Sequence, residues 1–298
     1  MKSPDITVAV ATYNREAELV NTIKALLDQS YENFELLVLD QSDTHTAATS
    51  SALNSIKDAR FKYVRLAPPS LMAARNVALK MANAPIILFL DDDIEPKKDL
   101  VKEHLASFRL HPEISAVAGR VTQKGFPADG PILSFDKYAV SHGTFSSKKS
   151  GYTNAFAGGN HSIRVADSLA VGGYDTRYYR IAFREENDMS AKLTKAGKKI
   201  FYNPRAEIYH LNTASGGHKH YIDLFDNVDF YRNEIFFTMR SVKLVDLPRA
   251  LYIKFMTYCH IRPLSKGFKR SLFFGIGILT AVWRLVFGRQ IKSHRVQS

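Results

Sequence analysis

The stretch IILFLDDDIEP, residues 86–96, puts three consecutive carboxylates at the end of an uninterrupted apolar run. The five apolar residues predict a buried strand over 86–90. Asp91, Asp92 and Asp93 then repel one another where that strand meets solvent. In one reading the triplet is a surface turn whose acids help to start the next helix. Pro96 would then begin the first turn of a helix near 97–110. In the other reading the carboxylates hold a cation. On an extended segment residues 91 and 93 point the same way, so a D-x-D pair can face one divalent ion. The triplet alone does not decide between the two.

Outward from this stretch, the first ~120 residues alternate apolar runs with helical patterns, which predicts a mainly parallel sheet covered by helices. ITVAVAT (6–12), FELLVLD (34–40), FKYVRL (61–66) and ISAVAGRV (114–121) read as further strands. EAELVNTIKALLDQ (16–29) places Leu19, Ile23, Leu26 and Leu27 on one helical face, and LMAARNVALKMAN (71–83) is a second helix. Residues 122–183 read as irregular with short strands. Helical spacing returns at EENDMSAKLTKAG (185–197), with Gly197 as its C-terminal cap. Beyond residue 217 the chain reads as helical to near its end. The fold class expected is therefore α/β, with a C-terminal helical extension.

The 298 residues carry a net charge of +12, and its location is informative. Residues 240–298 contain twelve Lys or Arg and a single acid, Asp246. The rest of the chain is close to neutral, so only the C-terminal part calls for an acidic partner. A single cysteine, Cys259, excludes an internal disulfide framework and fits a reducing compartment. Met1–Asp5 is short and polar and does not read as a secretory signal, which leads us to expect a cytoplasmic protein.

In an open α/β sheet, ligands bind beyond the carboxyl ends of the strands. ATYNR (11–15), LDQSD (39–43), ARN (74–76) and LDDDIEP (90–96) fall at or just after such ends, and a nucleoside diphosphate suits the set. Tyr13 offers a face for a base, Asp40 and Gln41 can bond a base edge or ribose, and Arg75 offers a planar fork for phosphate or base oxygens. Asp91 and Asp93 suit Mg2+ or Mn2+ bridging a diphosphate. The plainer readings are a loop cap for Tyr13 and a solvated helical charge for Arg75.

Six stretches occurring in order resemble glycosyltransferase family 2, the inverting, nucleotide-sugar-dependent enzymes with the GT-A fold. They are VAVATYNREAELVNTIKALLDQSYENFELLVLDQSD (8–43), AARNVAL (73–79), ILFLDDDIEP (87–96), GGNHSIRVADSLAVGGYD (158–175), FREENDMSAKLTKAG (183–197) and EIYHLNTASGG (207–217). The resemblance implies a catalytic domain over 1–217, with a nucleotide-binding half over 1–121 and an acceptor half over 122–217. It places Thr12, Tyr13, Asp40, Gln41 and Arg75 around the donor nucleotide. Gln41 stands where the family often has a second acid, and its amide can both donate and accept. Asp93 becomes the first choice for the metal, paired with Asp91, while Asp92 lies nearer the ribose or sugar. His210 matches a histidine near the metal, and Gly158, Gly159 and Asn160 match an acceptor-side loop.

Inverting transfer needs a carboxylate to take the acceptor's hydroxyl proton. Where the family carries Glu-Asp, this chain has Glu185-Glu186; alignment on the following helix makes Glu186 the base and Glu185 its competitor. Both acids also suit a helix N-terminus with no catalytic role. The implied partners are a nucleotide-diphosphate sugar and a glycan or lipid-linked acceptor. A scaffold subunit that binds nucleotide-sugar without catalysis is the alternative. Nucleotidyl transfer would want a Gly-rich N-terminal signature that is missing here.

In the basic extension, SLFFGIGILTAVW (271–283) is uncharged for thirteen residues, bracketed by Lys269 and Arg270 before and Arg284 and Arg289 after. A spanning helix needs about 20 apolar residues. Residues 264–298 therefore read as a helix lying in the interface of an anionic membrane, which puts the protein at the inner face of the cell membrane. A helix packed on the catalytic domain or a partner subunit is the competing reading. Nucleic acid is not expected, because no basic–aromatic platform appears.

Overall fold

The apolar runs become strands whose ends are aligned by parallel pairing. The computed structural model of the protein describes residues 3–178, 183–213, 225, 227–259, 264–288 and 295–297. Strands β1 (Ile6–Thr12), β2 (Phe34–Asp40), β3 (Phe61–Ala67) and β4 (Ile86–Leu90) lie in the order β3-β2-β1-β4, all parallel. Thr12 is opposite Asp40 and Val10 opposite Leu90. Thr12, Asp40 and the acidic triplet therefore emerge at one edge of the sheet.

All seven residues of β2 are buried because helices cover both faces. Ala9, Leu37 and Leu39 face α3 (Leu71–Met81) and α6 (Glu185–Lys195). Val8, Val10, Leu36 and Val38 face α1 (Ala17–Leu27) and α4 (Leu100–Leu110). Helix α2 (Ala47–Ser55) went unread in the sequence: it buries only Thr49 and Leu53, and Thr46 caps it through Thr49 N–H at 3.3 Å.

Pro96 does not begin a helix. It ends β5 (Ile94–Pro96), which pairs antiparallel with the end of β11 (Lys199–His210). Helix α4 starts at Leu100 with Asp99 as its N-cap residue, so the acidic triplet precedes a strand and starts no helix. The helix-starting reading of Asp91–Asp93 is thereby removed.

The second half of the sheet is mixed. β10 (Asn160–Arg164) runs antiparallel between β4 and β6 (Ile114–Thr122), and β11 runs parallel to β6. NHSIR gives no apolar run, yet four of its five residues are buried. Short strands β7 (Ser134–Phe135), β8 (Ser141–His142) and β9 (Gly151–Thr153) and helix α5 (Val165–Ala170) complete this half.

Helices α7 (Val228–Ser241), α8 (Leu247–Cys259) and α9 (Leu264–Val286) follow, and β12 (Arg295–Gln297) returns to pair with β3. The domain boundary expected at 217/218 lies outside the described residues. Phe230, Phe236 and Phe274 of these helices share one core with Met189 and Leu193 of α6. Gly277 lets α9 approach closely, since a Cβ there would lie 2.9 Å from Tyr231 O. Arg270 and Arg284, read as flanking a lipid-facing run, are instead buried: Arg284 Nη1 lies 3.4 Å from Asn233 Oδ1, and Arg270 stacks over Phe225.

One buried ionic cluster joins these helices to α6. Glu234 of α7 accepts from Arg184 Nε at 2.6 Å and from Lys254 Nζ of α8 at 2.5 Å. Burial opposes its charge, but the two cations together hold Glu234 below the usual carboxylate range. Glu234→Ala would leave two buried cations unpaired and is expected to cost about 3–5 kcal/mol of unfolding free energy. Chemical denaturation measures this, and a change within 1 kcal/mol would contradict it.

Candidate active site

At the aligned strand ends, each side chain of the acidic triplet has a different environment. Asp92 turns back beneath β1. It accepts from Thr12 Oγ1 at 2.7 Å and from Arg15 Nε at 3.1 Å. Burial pushes its carboxyl up to about 6, against the pull of Arg15. Asp93 is also buried, and its two oxygens are divided. Oδ2 accepts from Arg15 Nη2 at 2.9 Å and from Thr213 N–H at 3.2 Å, while Oδ1 lies 3.1 Å from His210 Nε2. The side chain of Asp91 is 39% exposed, with Oδ2 3.6 Å from His210 Nε2.

Asp91, Asp93 and His210 each bring one ligand atom within 4.8 Å of the others. His210 is the last residue of the twelve-residue β11, and its pairing with Ile94 carries it to the triplet. Nδ1 lies 3.0 Å from Gln123 Oε1. A proton on Nδ1, donated to that oxygen, leaves the Nε2 lone pair facing the carboxylates, as a metal-ligating histidine requires. Two carboxylates and one imidazole fit a divalent cation of the Mn2+ or Mg2+ kind.

The nucleotide-side residues are ordered differently from expectation. Asp40 accepts from Ser42 N–H at 2.8 Å and lies 2.6 Å from His45 Nε2; the Tyr63 hydroxyl also donates to it. Burial raises this carboxyl, but the bonds to Tyr63, Ser42 and His45 outweigh it and hold Asp40 below its ordinary value. Gln41 Oε1 accepts from Ser70 N–H at 2.5 Å and so anchors the start of α3. Tyr13 is partly exposed just beyond β1.

Two of the expected residues are turned inward. Arg75 is not the solvated helical charge of the plainer reading. It is 3% exposed, with Nη1 3.2 Å from Glu185 Oε1, Nη2 donating to Gly158 O at 2.9 Å and its guanidinium over the Tyr174 ring. Asn160 is fully buried and cannot offer its amide to an acceptor. Its Nδ2 donates to Arg120 O and Ala206 O, and its Oδ1 meets His104 Nε2 at 2.9 Å.

Gly158 and Gly159 connect the two halves of the site. A Cβ on Gly159 would fall 2.0 Å from Asp91 Oδ2, and one on Gly158 would lie 3.8 Å from the Glu186 carboxyl carbon. The loop thus places the carboxylate pair on one side and the acidic triplet on the other. Glu185 is buried against Arg75, and Glu186 keeps part of its surface. Burial raises the Glu186 carboxyl well above its ordinary value, and the neighbouring Glu185 adds to this. Oε2 of Glu185 is buried and has no hydrogen-bond partner among the described residues. The residue before the pair, Arg184, holds a left-handed φ of 74° and is fixed by Glu234.

Sequence reasoning missed Arg15, Thr213, His45, Tyr63 and Gln123. Arg15 lay inside the quoted ATYNR, three residues past β1, and a basic residue beside three acids was a usable signal. Thr213 and Gln123 reach the site only through the register of β11 against β5 and β6, which no local pattern reveals.

The model of the family described as "Glycosyl transferase family 2" matches residues 7–166. An uncharacterized glycosyltransferase of Rickettsia conorii is 35% identical over 100 residues, covering 34% of this chain and 16% of that protein. The UDP-Glc:alpha-D-GlcNAc-diphosphoundecaprenol beta-1,3-glucosyltransferase WfaP of Escherichia coli is 34% identical over 89 residues, 30% of this chain and 35% of that enzyme. The chain thus spans well under two thirds of the length of these curated relatives. Among solved structures, the mannosyltransferase PcManGT from Pyrobaculum calidifontis, in complex with GDP-Man and Mn2+, superposes with a TM-score of 0.59 at 15% identity, over 97% of this chain and 89% of that one.

Proposed function

The chain belongs to glycosyl transferase family 2 and has the GT-A fold, and from that premise we propose an inverting, metal-dependent sugar transfer with Glu186 as the general base. The observation that carries this is the Gly158–Gly159 loop, with a carboxyl of raised pKa on one side and Asp91, Asp93 and His210 on the other.

The acceptor hydroxyl gives its proton to Glu186 as its oxygen bonds to the anomeric carbon. The bond from that carbon to the donor's diphosphate breaks on the opposite face, and the diphosphate leaves with the electron pair. Glu185 pairs with Arg75 at 3.2 Å, and Glu186 passes from carboxylate to neutral acid as it takes the acceptor's proton. Arg75 acts here as a positioning group that fixes Glu185 and the Gly158 carbonyl. Asp91, Asp93 and His210 would hold the divalent cation, Mn2+ or Mg2+, which when bound neutralises charge building on the departing diphosphate.

Thr12, Tyr13, Asp40 and Gln41 are the residues we assign to the donor nucleotide, with Asp92 supporting them through Thr12. Gly159 is the backbone surface we assign to the acceptor side. The names of the relatives, one acting on a diphosphoundecaprenol-linked sugar and one bound to GDP-Man, support a nucleoside-diphosphate sugar as donor and a lipid-linked or glycan acceptor. We place the reaction at the cytoplasmic face of a membrane.

The test is thermal shift against a panel of nucleotide-sugars with and without Mn2+. At least one donor is expected to raise the melting temperature only with Mn2+, and that donor should be hydrolysed slowly or transferred. A panel of UDP-, GDP-, dTDP- and CMP-sugars that produced no Mn2+-dependent shift would overturn the reading. Donor binding without hydrolysis or transfer would favour the scaffold alternative.

A further inference from the structure

Helix α9 is apolar on two opposite faces, and the protein covers only one of them. Phe274, Gly277 and Ala281 pack inward, against α7 and the shared core. On the other side, Phe268, Leu272, Leu279, Trp283 and Val286 are 76%, 56%, 73%, 58% and 64% exposed. Their spacing follows the helical repeat, so they form one stripe along the whole helix. Scattered exposed apolar side chains are ordinary, but a continuous stripe rimmed by polar groups marks an interaction surface.

We propose that this stripe is the docking surface for an anionic lipid bilayer, on which α9 lies flat. Three observations select that occupant. Among the described residues no helix is long and apolar enough to cross a membrane, and α9 holds Arg270 and Arg284 against the protein on its inner side. Lipid can therefore meet one face only, the geometry of an interfacial helix. The charge then matches anionic headgroups: of the twelve cations in residues 240–298, Lys254, Arg270 and Arg284 are turned inward, but Lys266 and Lys269 at the start of α9 are exposed, and the segment holds a single acid. The same charge disfavours a second copy, because pairing this face with itself would set two such segments together. Lastly, Phe268 and Trp283, towards opposite ends of the stripe, are side chains suited to the boundary between headgroups and acyl chains.

The refinement over a helix ringed by cations is specific. Arg270 and Arg284 do not touch lipid; the charge comes from the exposed lysines and the apolar contact from the outer stripe. The inference stands apart from the assignment of the base and the cation, because lipid binding requires neither. It also gives the molecule an orientation. The docked helix packs on α7, whose Glu234 fixes Arg184 at the start of α6, so the Glu186 end is tied to the membrane-facing element.

The experiment is co-sedimentation of the full chain with vesicles of phosphatidylglycerol and phosphatidylcholine, and with vesicles of phosphatidylcholine alone, at 0.1 M and 0.5 M salt. Wild type is expected to pellet with the anionic vesicles and much less with the neutral ones or in high salt. Leu279→Asp with Trp283→Asp should weaken pelleting by at least about tenfold, from the loss of two apolar insertions. Phe268→Ser with Leu272→Ser provides a milder pair should the first disturb folding, and the melting temperature of each checks this. Mn2+-dependent donor binding should be unchanged in both pairs. No pelleting of wild type, or equal pelleting of a folded variant pair, would overturn the proposal. A wild-type dimer that the variants convert to monomer, without lipid binding, would make the stripe a homodimer interface instead.

Discussion

Glu186→Gln is expected to lower sugar transfer by about 10²–10⁴-fold, the range for removing a general base, while donor binding is retained. Glutamine keeps the shape and the partial exposure but cannot take a proton from the acceptor. The companion variant, Glu185→Gln, distinguishes the two acids. Glu185 is buried and held by Arg75 at 3.2 Å, which leaves it badly placed to meet an acceptor. Its charge instead raises the Glu186 carboxyl, second to burial. A base works only when deprotonated, so kcat/KM should rise with pH through the raised Glu186 value. Removing the Glu185 charge also leaves Arg75 free to favour ionised Glu186. Both effects lower the base's pKa, so the acid limb of the profile should move to lower pH in Glu185→Gln. A profile unmoved in Glu185→Gln, together with full turnover in Glu186→Gln, would place the base elsewhere.

The parts of this molecule that could be read from sequence were those with a local pattern. ITVAVAT, FELLVLD and IILFL are apolar runs bounded by polar strand ends, and a parallel sheet follows from them. β10 was hidden because Asn160, His161 and Ser162 are polar residues buried by mutual bonding, through His104 and Tyr174, with no apolar signature. The site divided in the same way. His210 lies more than a hundred residues beyond Asp91 and Asp93, and the antiparallel contact of β5 with β11 brings them together. Arg75 shows the limit of a helical position: its helix was placed correctly, but the plainer reading of a solvated charge fails because the side chain is drawn inward by Glu185. Side-chain direction near a charged partner depends on tertiary packing, which neither spacing nor propensity encodes. In the C-terminal helices only the two arginines were misplaced, for a similar reason, since they face Asn233 and Phe225.

Asp93→Ala is expected to abolish Mn2+-dependent donor binding and to reduce transfer by at least about 10²-fold, because it removes a carboxylate with one oxygen held in place and the other turned toward the proposed cation. Arg15 sets the orientation of Asp93. This guanidinium and Thr213 both donate to Oδ2 of Asp93, which leaves Oδ1 directed at His210. The carboxylate is therefore oriented before any ion arrives. Arg15 bonds Asp92 as well, and Asp92 in turn accepts from Thr12, so the first strand is tied to the triplet. Two contrasts follow. Asp92→Asn should lower the melting temperature by weakening that tie, yet leave most Mn2+ affinity, because Asp92 faces away from His210. Arg15→Lys keeps a charge but loses the fork that reaches both carboxylates. Its Mn2+ affinity, read by electron paramagnetic resonance on the protein without donor, should fall by about 10–100-fold, as for loss of a group that orients a ligand. Undiminished Mn2+ binding in Asp93→Ala would remove the acidic triplet from the metal site and return it to a purely structural role.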